Sequence, residues 1–256
     1  MLTSVQNPRV KRVRRLHDGK GRRDEGAFLV EGTRLLEALR ESGWPVREVY
    51  VLEERLAVVP HEWHDRLTVV APHVFGAMST LDHPEGVLAV VDLPQAPFLP
   101  EVAPDALWLA LDGLQDPGNV GALIRTADAA GVGTIVLGPG CADPFQPKVV
   151  RSSMGSIFHV RMTRVPDVLA CAAATRASGM RWIATTLDRA QPLWDAPIEG
   201  PVCWWIGREG TGLTPEALEA ADIRVHIPMA GRAESLNAAA AAAVCLFETT
   251  RRRRMP

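Results

Sequence analysis

The sequence predicts two α/β units in tandem, the second built on a mostly parallel sheet. Three observations carry this. Short apolar runs alternate with helical stretches along the whole chain, the runs after residue 105 are the stronger, and a proline-rich segment separates the two sets. That segment, residues 92–105 (DLPQAPFLPEVAPD), has prolines at 94, 97, 100 and 104 and neither helical nor alternating periodicity, the pattern of an extended linker. The expected division is therefore 1–92 for a smaller α/β domain, 93–105 for the linker and 106–256 for the larger domain.

In the first domain, FLV (28–30), EVYVL (48–52), LTVV (67–70) and GVLAVV (86–91) read as buried strands. Between the first two, residues 32–42 form a helix in which Leu35, Leu36 and Leu39 share a face. After the linker the strands are LWLAL (107–111), TIVL (134–137), MRWIATT (180–186), VCWWI (202–206) and IRVHI (223–227). Continuous apolar strands separated by helices indicate a parallel sheet covered on both faces. The longest helix is expected last, from Ser235 to about Thr250, around the alanine tract 238–243.

Composition mainly excludes. With 256 residues, 47% of them apolar, the chain has material for a sizeable core. No run approaches the roughly 20 apolar residues of a membrane span, and charges stand where a secretory signal would have its apolar stretch, so a cytoplasmic protein is expected. The four cysteines (141, 171, 203, 245) lack metal-site or disulfide spacing and read as buried thiols. His61 and His64 form HxxH without a nearby third ligand, which favours a structural role over zinc; no metal is expected.

Net charge, −2, argues at first against nucleic acid, but it is unevenly spread. Residues 1–23 carry eight basic side chains against Asp18, Arg251–Arg254 add four more, and residues 24–250 hold −13. The N-terminal run PRVKRVRRL is therefore a candidate phosphate-contacting surface, and the terminal arginines read as a disordered tail with weak attraction. One Tyr and six Phe leave little for broad base stacking, so recognition of folded RNA by backbone and shape fits better.

In an open parallel sheet, ligands bind beyond the carboxyl ends of the strands. After LWLAL comes DGLQDPGNVGALIRTADAAGVG, a turn followed by a helix to about Ala130 that Asn119 can cap, with Arg125 on its polar side. After VCWWI comes GREGTGLTPEAL, whose three glycines around Glu209 permit close approach of backbone to ligand; it is neither a Walker loop nor a dinucleotide fingerprint. After IRVHI comes PMAGRAESLNAAAAAA, where Ser235 is the expected N-cap of the last helix and the free N–H groups there suit an acceptor.

Taken together and in order, NVGALIR, IGREGTGL and IPMAGRAESLNAAAAAA resemble the three motifs of the SpoU (TrmH-like) family of RNA ribose 2′-O-methyltransferases, in the SPOUT superfamily. The resemblance spans about residues 106–250, and SVQNPRVKRVRRL with FLVEGTRLLEAL resembles the family's substrate-binding domain. It implies a trefoil knot at the C-terminal end, against the usual rule of unknotted chains, and S-adenosylmethionine as methyl donor. By position the donor would meet Thr186, Leu187, Ile206, Gly207, Gly212, Ile227, Met229, Ser235 and Leu236. The implied catalytic set is Asn119, Arg125, Glu209, Ser235 and Asn237, and the implied RNA contacts are Arg9, Lys11, Arg12, Arg15, Arg22, Arg23 and Arg151. A homodimer is implied as well, with Arg125 serving either its own or the partner's site. Family proposals make Arg125 the base, but a guanidinium offers almost no neutral form at pH 7, so a substrate phosphate accepting the proton while Arg125 orients it is preferred. Ribosomal RNA, in particular 23S, is the favoured substrate and transfer RNA the alternative. A noncatalytic RNA-binding relative and an unrelated nucleotide-binding enzyme are the competing classes.

Overall fold

The computed structural model describes residues 1–94, 99–233 and 235–254. The chain divides into two compact units, Met1–Gln95 with Asp143–His159, and Ala96–Ala142 with Val160–Pro256. Of the expected linker, residues 95–98 lie outside the described residues, and 93–94 with 99–105 form neither helix nor strand.

The first unit opens with helices α1 (Pro8–Arg15) and α2 (Gly19–Glu25). Pro8 stands at the first turn of α1, where its missing N–H costs nothing, and the Asn7 side chain accepts from the Arg9 backbone N–H. Strand β1 (Ala27–Glu31), helix α3 (Thr33–Ser42), strands β2 (Val46–Val51) and β3 (Leu67–Val69), helix α4 (Pro72–Met78) and strand β4 (Val87–Asp92) complete the N-terminal part. The sheet order is β1-β4-β2-β3, antiparallel except for the β2/β3 pair. One face of α1 (Val10, Val13) joins Leu29, Tyr50, Phe75 and Leu88 in the core.

In the second unit, β5 (Leu107–Leu111), α5 (Pro117–Ala130) and β6 (Thr134–Leu137) come first. The chain then contributes residues 143–159, with helix α6 (Pro147–Ser152), to the first unit; the expected domain 106–256 is therefore not continuous in its packing. Phe145 packs on Phe28 (centroids 5.0 Å apart) and Phe158 on Trp44 (5.5 Å), which accounts for the placement of this segment. The second unit resumes with β7 (Arg161–Arg164), α7 (Val168–Arg176), β8 (Arg181–Thr185), β9 (Gln191–Pro192), β10 (Val202–Ile206), α8 (Pro215–Ala220), β11 (Ile223–His226) and α9 (Ala238–Arg254).

The order of this sheet is β7-β6-β5-β10-β8-β11-β9, and every pairing among the described residues is parallel. From β5 the chain steps outward to β6 and β7, then crosses back, so the order reverses beside β5, where crevices form in doubly wound sheets. Buried Trp182 and Trp205 meet edge to face at 5.1 Å in the core. Two strands, β7 and β9, have no apolar run to betray them in the sequence: β7 is the polar edge segment RMTR, and β9 has two residues.

The last helix differs from expectation at both ends. It begins at Ala238, not Ser235, and continues through Arg254, so the four terminal arginines are helical and not a disordered tail. Arg252 donates to the carbonyls of Leu193, Trp194 and Ala196, and Arg253 to those of Asp105, Ala106 and Gly200. Carbonyl acceptors hold these two in place and extend the helix by a turn. Thr249 and Thr250 fix its body, accepting from the Trp204 indole (2.9 Å) and donating to the carbonyl of Ala130 (3.0 Å). No helix among the described residues is long and apolar enough to cross a membrane.

Candidate functional site

Three loops that leave the carboxyl ends of β8, β10 and β11 surround one cavity of about 630 Å³. The β8 loop contributes Thr186 and Leu187, with the Thr186 backbone N–H donating to the Val225 carbonyl (2.9 Å). From β10 come Ile206, Gly207 and Gly212, and from the segment after β11 Ile227, Met229, Ser235, Leu236 and Asn237. Each residue expected to face the methyl donor is therefore on this wall.

The β10 loop depends on its glycines. Arg208 and Gly212 exchange two backbone hydrogen bonds (3.0 and 2.9 Å), which folds 208–212 into a tight turn with Gly210 and Gly212 at positive φ. A Cβ on Gly207 would stand 2.3 Å from the backbone of Gly212 and Leu213, so no other residue fits there. Leu187, Met229 and Leu236 remain exposed along the cavity, and Leu187 is 70% exposed. Exposed apolar side chains beside backbone polar groups suit a ligand with a flat apolar part and a polar periphery.

At one side of the cavity the segments after β5, β10 and β11 are joined by side chains. Asn119 Nδ2 donates to Glu209 Oε1 (3.0 Å), while its Oδ1 accepts from Asn237 Nδ2 (3.0 Å). The Gln115 backbone N–H adds a contact to Glu209 Oε2 (3.4 Å). Partial burial pushes the Glu209 carboxyl upward, but the bonds from Asn119 and from backbone N–H groups outweigh it and hold the group below its ordinary value.

The structure corrects two capping expectations. Asp116, not Asn119, caps α5, accepting from the Asn119 backbone N–H at 2.7 Å. Asn119 sits inside the first turn, which frees its amide to point at Glu209. Likewise Asn237 caps α9, its Oδ1 accepting from Ala239 (2.9 Å) and Ala240 (3.4 Å) and its carbonyl from Ala241. Ser235 stands two residues earlier, exposed on the cavity wall, because an N-cap must immediately precede the helix.

Arg125 is exposed, its side chain makes no hydrogen bond or ion pair among the described residues, and it does not line the cavity. Arg208, absent from the set expected from the sequence, does. The available signal was a cation placed between the two structural constraints Gly207 and Glu209.

A model of the SpoU rRNA methylase family matches residues 106–247, and one of the MRM3-like substrate binding domain matches residues 7–89. The chain belongs to the SpoU rRNA methylase family. It is 33% identical to the Bacillus subtilis 23S rRNA (guanosine(2553)-2′-O)-methyltransferase RlmP, over 96% of this chain and 97% of that protein. To the 23S rRNA (uridine(2479)-2′-O)-methyltransferase of Streptomyces viridochromogenes it is 35% identical, over 89% and 84%. Among solved structures, the AdoMet-bound rRNA methyltransferase of Sinorhizobium meliloti superposes with a TM-score of 0.88 at 31% identity, over 100% of this chain and 98% of that one.

In this SpoU-family chain the basic residues expected to meet RNA fall into two groups. Arg22 is buried, paired with Asp143 (2.6 Å) and donating to the carbonyls of Leu16 and His17; it holds the first unit together and is not an open phosphate contact. Arg9 and Arg12 both engage Glu48, Arg9 lies over the Tyr50 ring, and Arg15 pairs with Asp24 and Glu25. Arg151 donates to Thr80 Oγ1 (2.7 Å) within the first unit. Lys11 and Arg23 are exposed without a side-chain partner among the described residues, and so are Arg14 and Lys20, which lie outside the expected set. The rings of His61 and His64 are tilted 42° to each other with centroids 4.9 Å apart, and no group of three metal-ligating side chains occurs among the described residues. All four cysteines are buried.

Proposed function

We propose that this chain transfers a methyl group from S-adenosylmethionine to a ribose 2′-oxygen of 23S ribosomal RNA. The observation that carries the reading is the chain of contacts Asn237–Asn119–Glu209 at the edge of a cavity built from the second and third motifs. The relatives act on guanosine in one case and uridine in the other, so the methylated atom carries over more readily than the nucleotide.

The cavity fits the donor by its chemistry: exposed Leu187, Met229 and Leu236 suit an adenine ring, and the glycine-built turn brings backbone polar groups close. When bound, S-adenosylmethionine supplies a methyl carbon on a sulfonium whose leaving group is neutral. The protein's task is alignment and management of one proton. Asn119 and Glu209 hold the first two motifs in register, and Asn237 ties the third to them while capping α9. Ser235, free of capping duty, is available to bond the ribose oxygen. The role of Arg125 is to orient a substrate phosphate that accepts the proton.

Arg125 lies off the cavity of its own chain, which supports a homodimer in which it completes the partner's site. The segment from β11 to α9 is read as passing through the preceding loops as a trefoil knot, a reading supported by the closure of the loops after β8, β10 and β11 on one cavity. The first unit is read as the RNA-docking domain, its phosphate contacts drawn from Lys11, Arg14, Lys20 and Arg23. Transfer of labelled methyl to 23S rRNA from a strain lacking the gene, with digestion to 2′-O-methylnucleosides, tests the whole reading.

A further inference from the structure

We infer that Arg208 is a binding residue for an RNA phosphate adjoining the reacting ribose, an assignment that rests on the methyltransferase reading above. Arg208 is the one arginine or lysine among the described residues that line the cavity. Its neighbours in sequence, Gly207 and Glu209, are both committed, the first to a turn that admits no side chain and the second to Asn119.

The side chain is supported along its length. Its backbone is pinned by the paired hydrogen bonds with Gly212. Its stem crosses Gly113, at φ 73°, where a Cβ would stand 2.5 Å from Nε and 2.7 Å from Cγ. The glycine thus provides a track on which the arginine lies, and ordering the stem in advance reduces the entropy lost on binding.

The guanidinium, in contrast, has nothing to bind. It is exposed and makes no hydrogen bond or ion pair among the described residues. The acids around the cavity are otherwise engaged: Glu209 with Asn119 and Gln115, and Asp188 with Arg224 at 3.3 Å. Asp112, whose charge Arg208 feels without pairing to it, is half-buried and accepts from the Trp205 indole at 3.3 Å.

The carboxylates around the cavity are thus engaged elsewhere, and a cavity that takes a cationic sulfonium beside an unpaired guanidinium favours an anion brought in by the substrate. A phosphodiester is such an anion. It offers a guanidinium two acceptor oxygens, and in RNA it is attached to the 3′-oxygen, one carbon away from the 2′-oxygen. Holding it also places the nucleophile. A carboxylate has the same charge and a similar pair of acceptors, so the amino-acid end of the donor is the competing source of the anion.

Full-length Arg208→Ala and Arg208→Lys separate these. The measurements are KM and kcat on 23S rRNA from a strain lacking the gene, rRNA affinity against salt without donor, and calorimetric affinity for S-adenosylmethionine and S-adenosylhomocysteine. For Arg208→Ala the expected result is a rise in KM of about tenfold or more with a smaller change in kcat. The slope of log affinity against log salt should fall by about 0.7, the share of one phosphate. Donor affinity should hold or rise for the sulfonium relative to the neutral thioether, and Arg208→Lys should restore the slope. Unchanged KM and slope in a variant that still binds donor would overturn the assignment, and so would an equal loss of affinity for donor and thioether, which marks a carboxylate contact. Failure of the wild-type protein to methylate rRNA would instead remove the underlying reading.

Discussion

Asn119 and Glu209 stand 90 residues apart in the chain, yet Asn119 Nδ2 lies 3.0 Å from Glu209 Oε1. The same amide accepts from Asn237, which is 118 residues further along the chain than Asn119. One side chain therefore sets the relative positions of three loops, two of which wall the cavity. Neither α5 nor the β10 turn needs this bond for its own local structure, since Asp116 caps the helix and the Arg208–Gly212 pair closes the turn.

Asn119→Ala is accordingly expected to leave the fold intact and reduce methyl transfer. A hydrogen bond to a charged group contributes roughly 1.5–3 kcal/mol, and partial exposure puts this one at the lower end, so a loss of about tenfold in kcat/KM is expected. Asn119→Asp should be worse, because a second carboxylate would face Glu209. Steady-state kinetics beside circular dichroism check both; full activity in Asn119→Ala would show that the three loops are registered by other means.

Ser235 and Asn237 should separate stability from chemistry. Asn237→Ala removes the N-cap of α9 and is expected to cost about 1 kcal/mol, whereas Ser235→Ala should stay within about 0.5 kcal/mol of wild type while losing methyl transfer. Asn237→Asp keeps the capping oxygen but not the amide donor to Asn119, so it should recover Tm and not activity. Denaturant midpoints and kinetics on the three variants decide; a large stability loss in Ser235→Ala would return the capping role to that residue.

These two residues also mark where sequence reading stops. The strands were legible because apolar runs such as LWLAL and VCWWI are short, rich in residues that favour strands and bounded by turn residues, and the residues around the cavity were carried over by position from the resemblance to the SpoU motifs. Capping was misplaced because Ser235, Asn237, Asp116 and Asn119 are all competent caps, and only the helix start selects among them. The role of Arg22 was hidden for a similar reason: its partner Asp143 is 121 residues away, in a segment that sequence order assigns to the other domain.

The basic N-terminal residues should divide experimentally as they do structurally. Arg22→Ala leaves Asp143 without its cation and two carbonyls without a donor, and is expected to destabilise the fold by on the order of 3 kcal/mol. Alanine at Lys11, Arg14, Lys20 and Arg23 should keep Tm and instead flatten the salt dependence of RNA affinity, by about 0.7 in slope for each phosphate that is no longer neutralised. An unchanged slope in the quadruple variant would exclude this surface from RNA docking.

The end of α9 should weaken in acid. Hydrogen bonds from Arg251, and then from Arg252, hold the Glu248 carboxyl down to about 2 against an ordinary 4.5. A depressed carboxylate contributes stability that is fully present above its unfolded value and is lost as pH falls through the folded one. The difference in urea midpoint between wild type and Glu248→Gln should therefore be constant above the ordinary value and shrink toward pH 2. A difference that does not vary with pH would mean that the Glu248 charge plays no part and that Arg252 is held by its carbonyl partners alone.

The cavity and the Asn237–Asn119–Glu209 contacts are taken to serve ribose methylation of the large ribosomal RNA. The most direct test incubates the purified protein with S-adenosylmethionine carrying a labelled methyl group and 23S rRNA from a strain lacking the gene, then maps the label to atom and nucleotide. Label is expected on the 2′-oxygen at a discrete position, and its rate of incorporation should fall by about tenfold or more when Asn119 and Asn237 are both replaced by Ala. Label on a base, or none on 23S rRNA while transfer RNA is methylated, would contradict it.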